Sequence, residues 1–183
     1  MPIHGIILAG GKSRRFGSDK ALAQMNGVTL LEMAVHLLEG LKLNPAVITS
    51  AEKEKIYSFL RCPILKDLIP DQGPLGGLYT ALSAFPDSSL LVLTCDMPYL
   101  TASLLKRLTE QHQKGNLITL YRVEEERIHP FPGIYEPILM GRIIKNIHAN
   151  QLAMHRFIEN TPQVQFIQSK EAVDAFRNIN EPI

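Results

Sequence analysis

Residues 8–20, LAGGKSRRFGSDK, place three glycines, two lysines and two arginines in one connection between an apolar run and a helical pattern. That composition binds phosphate: paired glycines let backbone N–H groups approach anionic oxygens, and cations neutralise the charge of a triphosphate. Lys12, Arg15 and Lys20 are the cations offered for the work. A glycine loop of this kind is often only a solvated basic turn, so it needs support from the rest of the chain. Asp67 and Asp96 supply some, because each follows a short apolar run at a place where a strand would deliver a carboxylate. If Gly10, Gly11, Asp67 and Asp96 lie at the carboxyl ends of parallel strands, they meet in the crevice where open α/β sheets bind ligands. Gly11-Lys12-Ser13 also supplies the ending of a Walker A loop, but that pattern needs a glycine at position 6, which is Ile6. A P-loop NTPase or kinase stays as a minor alternative.

The elements that must position these residues are legible as alternating patterns. Residues 3–8 form a short, isoleucine-rich run ending at Ala-Gly-Gly, which suits a buried parallel strand emptying into a loop. Leu30, Leu31, Ala34, Leu37, Leu38 and Leu41 recur at helical spacing behind Thr29, an N-cap residue. The spacing then predicts a strand over 46–49, a helix over 51–60, a short strand at 64–65, and a helix over 75–85 behind a Gly-Pro-Leu-Gly-Gly turn. Residues 89–94, SLLVLT, form the next strand, and Thr101 or Ser103 can cap a helix from 104 to about 113. After a strand over 116–122, the run EEER and His-Pro-Phe-Pro-Gly reads as a turn leading into an edge segment around 133–135. Helices over 137–149 and 151–160, a strand over 164–167 and a short helix near 171–176 complete the chain. Such alternation means an α/β fold.

The composition bounds the rest. With 183 residues and 45% of them hydrophobic, the chain can build a substantial core as one domain spanning residues 1–183. Lys plus Arg total 19 against 18 Asp plus Glu, so the net charge of +1 argues for no nucleic-acid and no membrane surface, and phosphate binding must be local. Cys62 and Cys95 lack metal-type spacing, and the stretch MPIHGIILAGG lacks the long apolar run and basic start expected of a signal peptide. A reduced, cytoplasmic setting is expected. His4, His36, His112, His148 and His155 lack paired ligand spacing and are assigned no role.

The stretch LAGGKSRRFGSDKAL resembles the signature LAGGxSxRMGxDKxL of the molybdenum cofactor guanylyltransferases, the MobA family, with Phe16 in place of the usual methionine. The resemblance continues in order through Asp67, Gly73-Pro74-Leu75-Gly76-Gly77, Thr94-Cys95-Asp96-Met97-Pro98, His129-Pro130 and Asn178-Ile179-Asn180, and so covers nearly the whole chain. It implies a three-layer α/β/α Rossmann-like nucleotidyltransferase fold, mostly parallel, with an antiparallel segment near residues 131–136. It also implies transfer of GMP from GTP to the terminal phosphate of molybdopterin, or the molybdenum cofactor, with release of pyrophosphate.

Residue by residue, the resemblance assigns Leu8, Ala9, Gly10 and Gly11 to the base, sugar and phosphates, and Lys20 with Arg15 to the phosphates. Asp67 matches the guanine contact, a job that suits a carboxylate because it accepts from guanine N1–H and the N2 amine. Thr49 stands where asparagine is usual. Asp96 matches the ligand of Mg2+, a cation that takes one or two carboxylates together with phosphate oxygens and water. Gly73, Gly76, His129, Asn178 and Asn180 match positions on the acceptor side. Cofactor-synthesis or acceptor enzymes are implied as partners. After Asn180 this sequence reads Glu181-Pro182-Ile183, whereas the family continues with Thr-Pro into a helix, so the acceptor is less determined than the nucleotide. The alternatives are a related transferase using CTP or another acceptor, and a nucleotide-binding regulator without turnover. The intact set Gly10, Gly11, Lys20 and Asp96 weighs against the regulator.

Overall fold

The computed structural model describes residues 1–10, 19–123, 128–169, 172–177 and 179. Its first half contains β1 (Ile3–Leu8), a short hairpin of β2 (Gln24–Met25) and β3 (Val28–Thr29), α1 (Leu30–Gly40), β4 (Pro45–Thr49), α2 (Ala51–Glu54), β5 (Ile64–Lys66) and α3 (Gly73–Ala84). Then follow β6 (Ser89–Thr94), α4 (Ala102–Gln111), β7 (Ile118–Arg122), β8 (Ile128–Tyr135), α5 (Met140–His148), α6 (Met154–Glu159), β9 (Val164–Gln168) and α7 (Ala172–Ala175). Seven strands make one sheet in the order β5-β4-β1-β6-β8-β7-β9. All neighbours are parallel except β8, which runs antiparallel to both β6 and β7.

The apolar runs are continuous because both faces of the sheet are covered. Ile7, Val47, Leu91 and Leu93 pack towards α1 and α4, whereas their neighbours Ile6, Leu8, Ile48, Leu90 and Val92 pack towards α3, α5 and α6. This is the expected α/β arrangement in three layers. Each large apolar side chain fully buried this way contributes roughly 1.5–3 kcal/mol of transfer free energy. Helix α1 starts where the sequence predicts: the Thr29 hydroxyl accepts from Glu32 N–H and the Glu32 carboxylate accepts from Thr29 N–H, a complete capping box.

Several expectations need correction. The helix over 51–60 is only α2; beyond it the chain continues in isolated turn bonds such as Ser58 N–H to the Lys55 carbonyl, and Tyr57 is fully buried. Tertiary demand for Tyr57 inside overrides the local helical pattern. The Gly-Pro-Leu-Gly-Gly segment is the first turn of α3 and does not precede it, a place where proline lacks nothing because that N–H would be unpaired anyway. Segment 133–135 belongs to β8 and lies inside the sheet, not at its edge. Its prolines are tolerated because the β6 pairing covers only Gly133, Ile134 and Tyr135, and the β7 pairing shifts register between Leu120 and Tyr121, which leaves Pro130 and Pro132 outside the ladder. The β2–β3 hairpin is an addition to the expected elements, although Asn26-Gly27, with φ of 53° and 81°, carries the signature of a two-residue turn.

The topology fixes one special place. The chain moves outward from β1 to β4 and β5, then returns to lay β6 on the other side of β1. β1 and β6 therefore flank the point where strand order reverses, and Leu8 pairs with Thr94, so both chains leave the sheet there together.

Candidate functional site

At that point Lys20 and Asp96 meet. Lys20 opens a 3-10 turn, Lys20–Leu22, and its ammonium nitrogen lies 3.0 Å from Oδ2 of Asp96, 76 residues away in sequence. Both side chains are mostly buried, 14% and 22% exposed, so solvent screens the pair little. Gly10 is exposed at the end of β1, and apart from its chain neighbours no heavy atom of the described residues lies within 4 Å of the position a Cβ would take. Leu8 and Ala9 are buried, and Ala9 N–H donates to the Ile48 carbonyl, prolonging the β1–β4 ladder to the edge of the crevice. Gly11, Lys12 and Arg15 lie outside the described residues, as do Asn178 and Asn180. Ile179, between those two asparagines, donates its N–H to the Asp96 carbonyl at 3.1 Å.

The Asp96 carboxylate suits a divalent cation. Its Oδ1 is buried and has no hydrogen-bond partner among the described residues, a costly state that a cation relieves. The described residues hold no group of three or more His, Cys, Asp or Glu suited to a metal. Magnesium requires no such group, since it takes one or two protein carboxylates and fills its shell with phosphate oxygens and water.

Asp67 extends the β4–β5 ladder, its N–H donating to the Thr49 carbonyl at 2.8 Å. One carboxylate oxygen, Oδ1, accepts from the Thr80 hydroxyl at 2.9 Å and from Ile69 N–H at 3.2 Å. Gly76 is buried beneath this turn, where a Cβ would stand 2.7 Å from the Ile69 carbonyl oxygen. The absence of a side chain there lets α3 press against the Asp67 turn. Gly73 is exposed at the start of α3 with φ of 58°. The Thr49 side chain is fully buried, so it is not presented to the crevice.

His129 stands near the start of β8, which, being antiparallel, begins at the carboxyl end of β6. Its ring lies 5.2 Å from that of Phe176, which also packs on Tyr121 at 5.3 Å. The tail after β9 therefore crosses the ends of β7 and β8 and reaches Asp96 through Ile179. Of the histidines given no role, His112 bridges Thr119 and Glu136 at 2.8 and 2.9 Å, and His4 stacks on Phe85. On the α1 side of Asp96 opens a cavity of about 470 Å3 walled by Met25, Met33, Leu37, Cys95, Met97 and Leu100.

Sequence reasoning missed three residues. Asp19 Oδ1 accepts from Lys53 at 2.9 Å and from Ala21 N–H at 3.3 Å, while Oδ2 accepts from the Tyr57 hydroxyl at 2.7 Å. Burial, with Asp19 beside it, pushes the Tyr57 phenol far above its ordinary range. The available signals were Asp19 next to Lys20 in the signature and Lys53 four residues before Tyr57.

Cys95 adjoins Asp96, but it is no nucleophile: burial first, and then the carboxylates of Asp96 and Asp19, push its thiol up to about 12 against the opposing pull of Lys20. At about pH 8 the thiolate fraction is on the order of one in 10⁴, so iodoacetamide should label Cys95 of the folded protein very slowly, with labelling accelerating as pH approaches 12. Peptide mass mapping after timed alkylation checks this. Rapid stoichiometric labelling of Cys95 at that pH would show the thiol to be activated.

Comparison with known proteins identifies the family. The MobA-like NTP transferase domain matches residues 5–164. A Flavobacterium johnsoniae protein named a probable molybdenum cofactor guanylyltransferase is 32% identical over 90% of this chain and 85% of its own length. The Haemophilus influenzae molybdenum cofactor guanylyltransferase is 27% identical over 98% of this chain and 95% of its own. Among solved structures, the molybdopterin-guanine dinucleotide biosynthesis protein A of Archaeoglobus fulgidus superposes with a TM-score of 0.82 at 22% identity, covering 100% of this chain and 93% of that one, a likeness of fold.

Proposed function

The chain belongs to the MobA-like NTP transferase domain family, and from that premise we propose that it transfers GMP from GTP to the terminal phosphate of molybdopterin, releasing pyrophosphate. The observation that carries this reading is the Lys20–Asp96 contact at the strand-order reversal, beside the exposed Gly10 turn. Such a site has a cation for phosphates, a carboxylate for a metal and open backbone for anionic oxygens, and it holds no activated nucleophile among its described residues.

Transfer proceeds by in-line attack of the acceptor phosphate on the α-phosphate, and the protein supplies position and charge. Gly10 leaves room for the triphosphate against the end of β1. Lys20, released from Asp96, holds the phosphate oxygens as charge moves towards pyrophosphate. Asp96 would hold Mg2+, which when bound neutralises phosphate charge. Asp67, anchored through Oδ1, offers its second oxygen to guanine N1–H and the N2 amine. The tail through Ile179 and the start of β8 at His129 border the same crevice, which supports an acceptor site there for molybdopterin. The acceptor's partners on this reading are the enzymes that supply molybdopterin and take up the dinucleotide. Two free thiols, Cys62 and Cys95, support a reducing cytoplasmic setting, and among the described residues no helix is long and apolar enough to cross a membrane.

The test is product formation from GTP, CTP, ATP and UTP with Mg2+ and molybdopterin. GTP should give the guanine dinucleotide and stoichiometric pyrophosphate. Asp67→Ala should cut the preference for GTP over CTP by at least about tenfold, since a buried-edge hydrogen-bonding group is lost. Unchanged discrimination in that variant removes the case for guanine; CTP as the better donor would make the chain a cytidylyltransferase; tight GTP binding without product would make it a binding protein.

A further inference from the structure

Phosphate binding by Lys20 does not account for the neighbouring cluster of Asp19, Lys53 and Tyr57. All three are largely or fully buried, Lys53 and Asp19 at 19% and 15% exposure and Tyr57 at none, and the cluster lies beside the site. An ion pair removed from water to this degree contributes little net stability compared with apolar side chains of the same volume, so packing alone does not explain it.

Its geometry does. Asp19 caps the turn that begins at Lys20, through Oδ1 and Ala21 N–H, and so fixes the direction in which Lys20 leaves the chain. Side-chain partners of Asp19 come from α2 and the turns behind it, which follow β4; a partner of Lys20 comes from the end of β6. Since β4 and β6 are the two neighbours of β1, adjacent residues of opposite charge are stapled to opposite sides of the same crevice. When Lys20 turns from Asp96 to a triphosphate, the Asp19 staple still holds its base.

We propose that Lys53 and Tyr57, acting through Asp19, are positioning residues for Lys20, an inference that rests on the phosphate-binding role of Lys20 given above. The tether keeps the turn fixed while the ammonium group moves, so the lysine reaches the phosphates without searching. Small displacements of a group that works by position are costly, and a shift of about 1 Å can cost on the order of 10²-fold in rate.

A double-mutant cycle separates positioning from general stability. Lys53→Met, Lys53→Arg and Tyr57→Phe are each made alone and together with Lys20→Met, and kcat, KM for GTP, the dissociation constant of GTP with Mg2+, and Tm are measured for every variant. Tyr57→Phe keeps the ring and removes only the hydroxyl, so it tests the proposal should Lys53→Met fail to fold. With Lys20 present, Lys53→Met and Tyr57→Phe should lower kcat/KM by about tenfold; with Lys20 replaced, the same changes should cost less than about twofold, and Lys53→Arg should restore most of the loss. Equal losses in both backgrounds, or losses that only follow the unfolded fraction, overturn the proposal. If the parent chain forms no dinucleotide, the proposed function fails by itself. The cycle is then judged on the GTP dissociation constants, where coupling to Lys20 supports positioning and independence refutes it.

Discussion

Asp96→Ala should lower nucleotidyl transfer by at least about 10³-fold, yet bind GTP in the absence of metal as tightly as the parent chain or more tightly. The two effects have one origin. On the proposed mechanism Asp96 would hold Mg2+, and its Oδ1 is buried without a partner among the described residues, so alanine would remove both that ligand and a charge that repels phosphate. Its Oδ2 also holds Lys20 at 3.0 Å, and a triphosphate must compete for that ammonium group. Without the carboxylate, Lys20 is released from this contact before the nucleotide arrives. Steady-state rates with Mg2+, and calorimetric titration of GTP with and without it, check the two halves. A variant that retains a tenth of the parent rate would remove Asp96 from the chemistry; one that binds GTP much more weakly without metal would show that the ion pair does not oppose nucleotide binding.

Lys20→Met should lower kcat by about 10²–10³-fold, the scale for losing one charge that stabilises the transition state in a mostly dry site. Methionine preserves much of the apolar stem, so the loss reports the ammonium group rather than a hole in the packing. Lys20→Arg should recover only part of the rate, because a planar guanidinium cannot take the place of a compact ammonium group held between Asp19's turn and Asp96. Mg2+ should bind the nucleotide-free Lys20→Met protein more tightly than the parent, since Lys20 then no longer competes for Asp96. Activity within threefold of the parent, measured under saturating GTP, would place the phosphate-holding cation elsewhere.

Local chemistry specifies much of the fold. The run at 3–8, the Thr29 cap, the run at 89–94 and their turn signals each define an element within a few residues, and α/β sheets place strand ends in one crevice as a class property. Asp67 and Asp96 are therefore legible as strand-end carboxylates, and the resemblance gives them roles. Long-range demand decides the rest. Tyr57 reads as part of a helix, but its hydroxyl is drawn to an aspartate 38 residues away, and the helix stops at Glu54. Pro130 and Pro132 read as an edge or turn, yet a register shift admits them to a strand flanked on both sides. Gly76 reads as a turn residue near a substrate, and its reason is the Ile69 carbonyl against which no side chain fits. The ion pair between Lys20 and Asp96 has no local signature at all; it exists because β1 and β6 are neighbours.

The convergence of the Gly10 turn, Lys20 and Asp96 on one triphosphate is tested most directly by a crystal structure with a non-hydrolysable GTP analogue and Mg2+. The expected result is a metal at about 2.1 Å from an Asp96 carboxylate oxygen, Lys20 turned from Asp96 onto the phosphates, and the triphosphate lying along the end of β1. A triphosphate bound instead in the cavity between Met25, Met33 and Met97, with Lys20 still paired to Asp96 and no metal there, would contradict it.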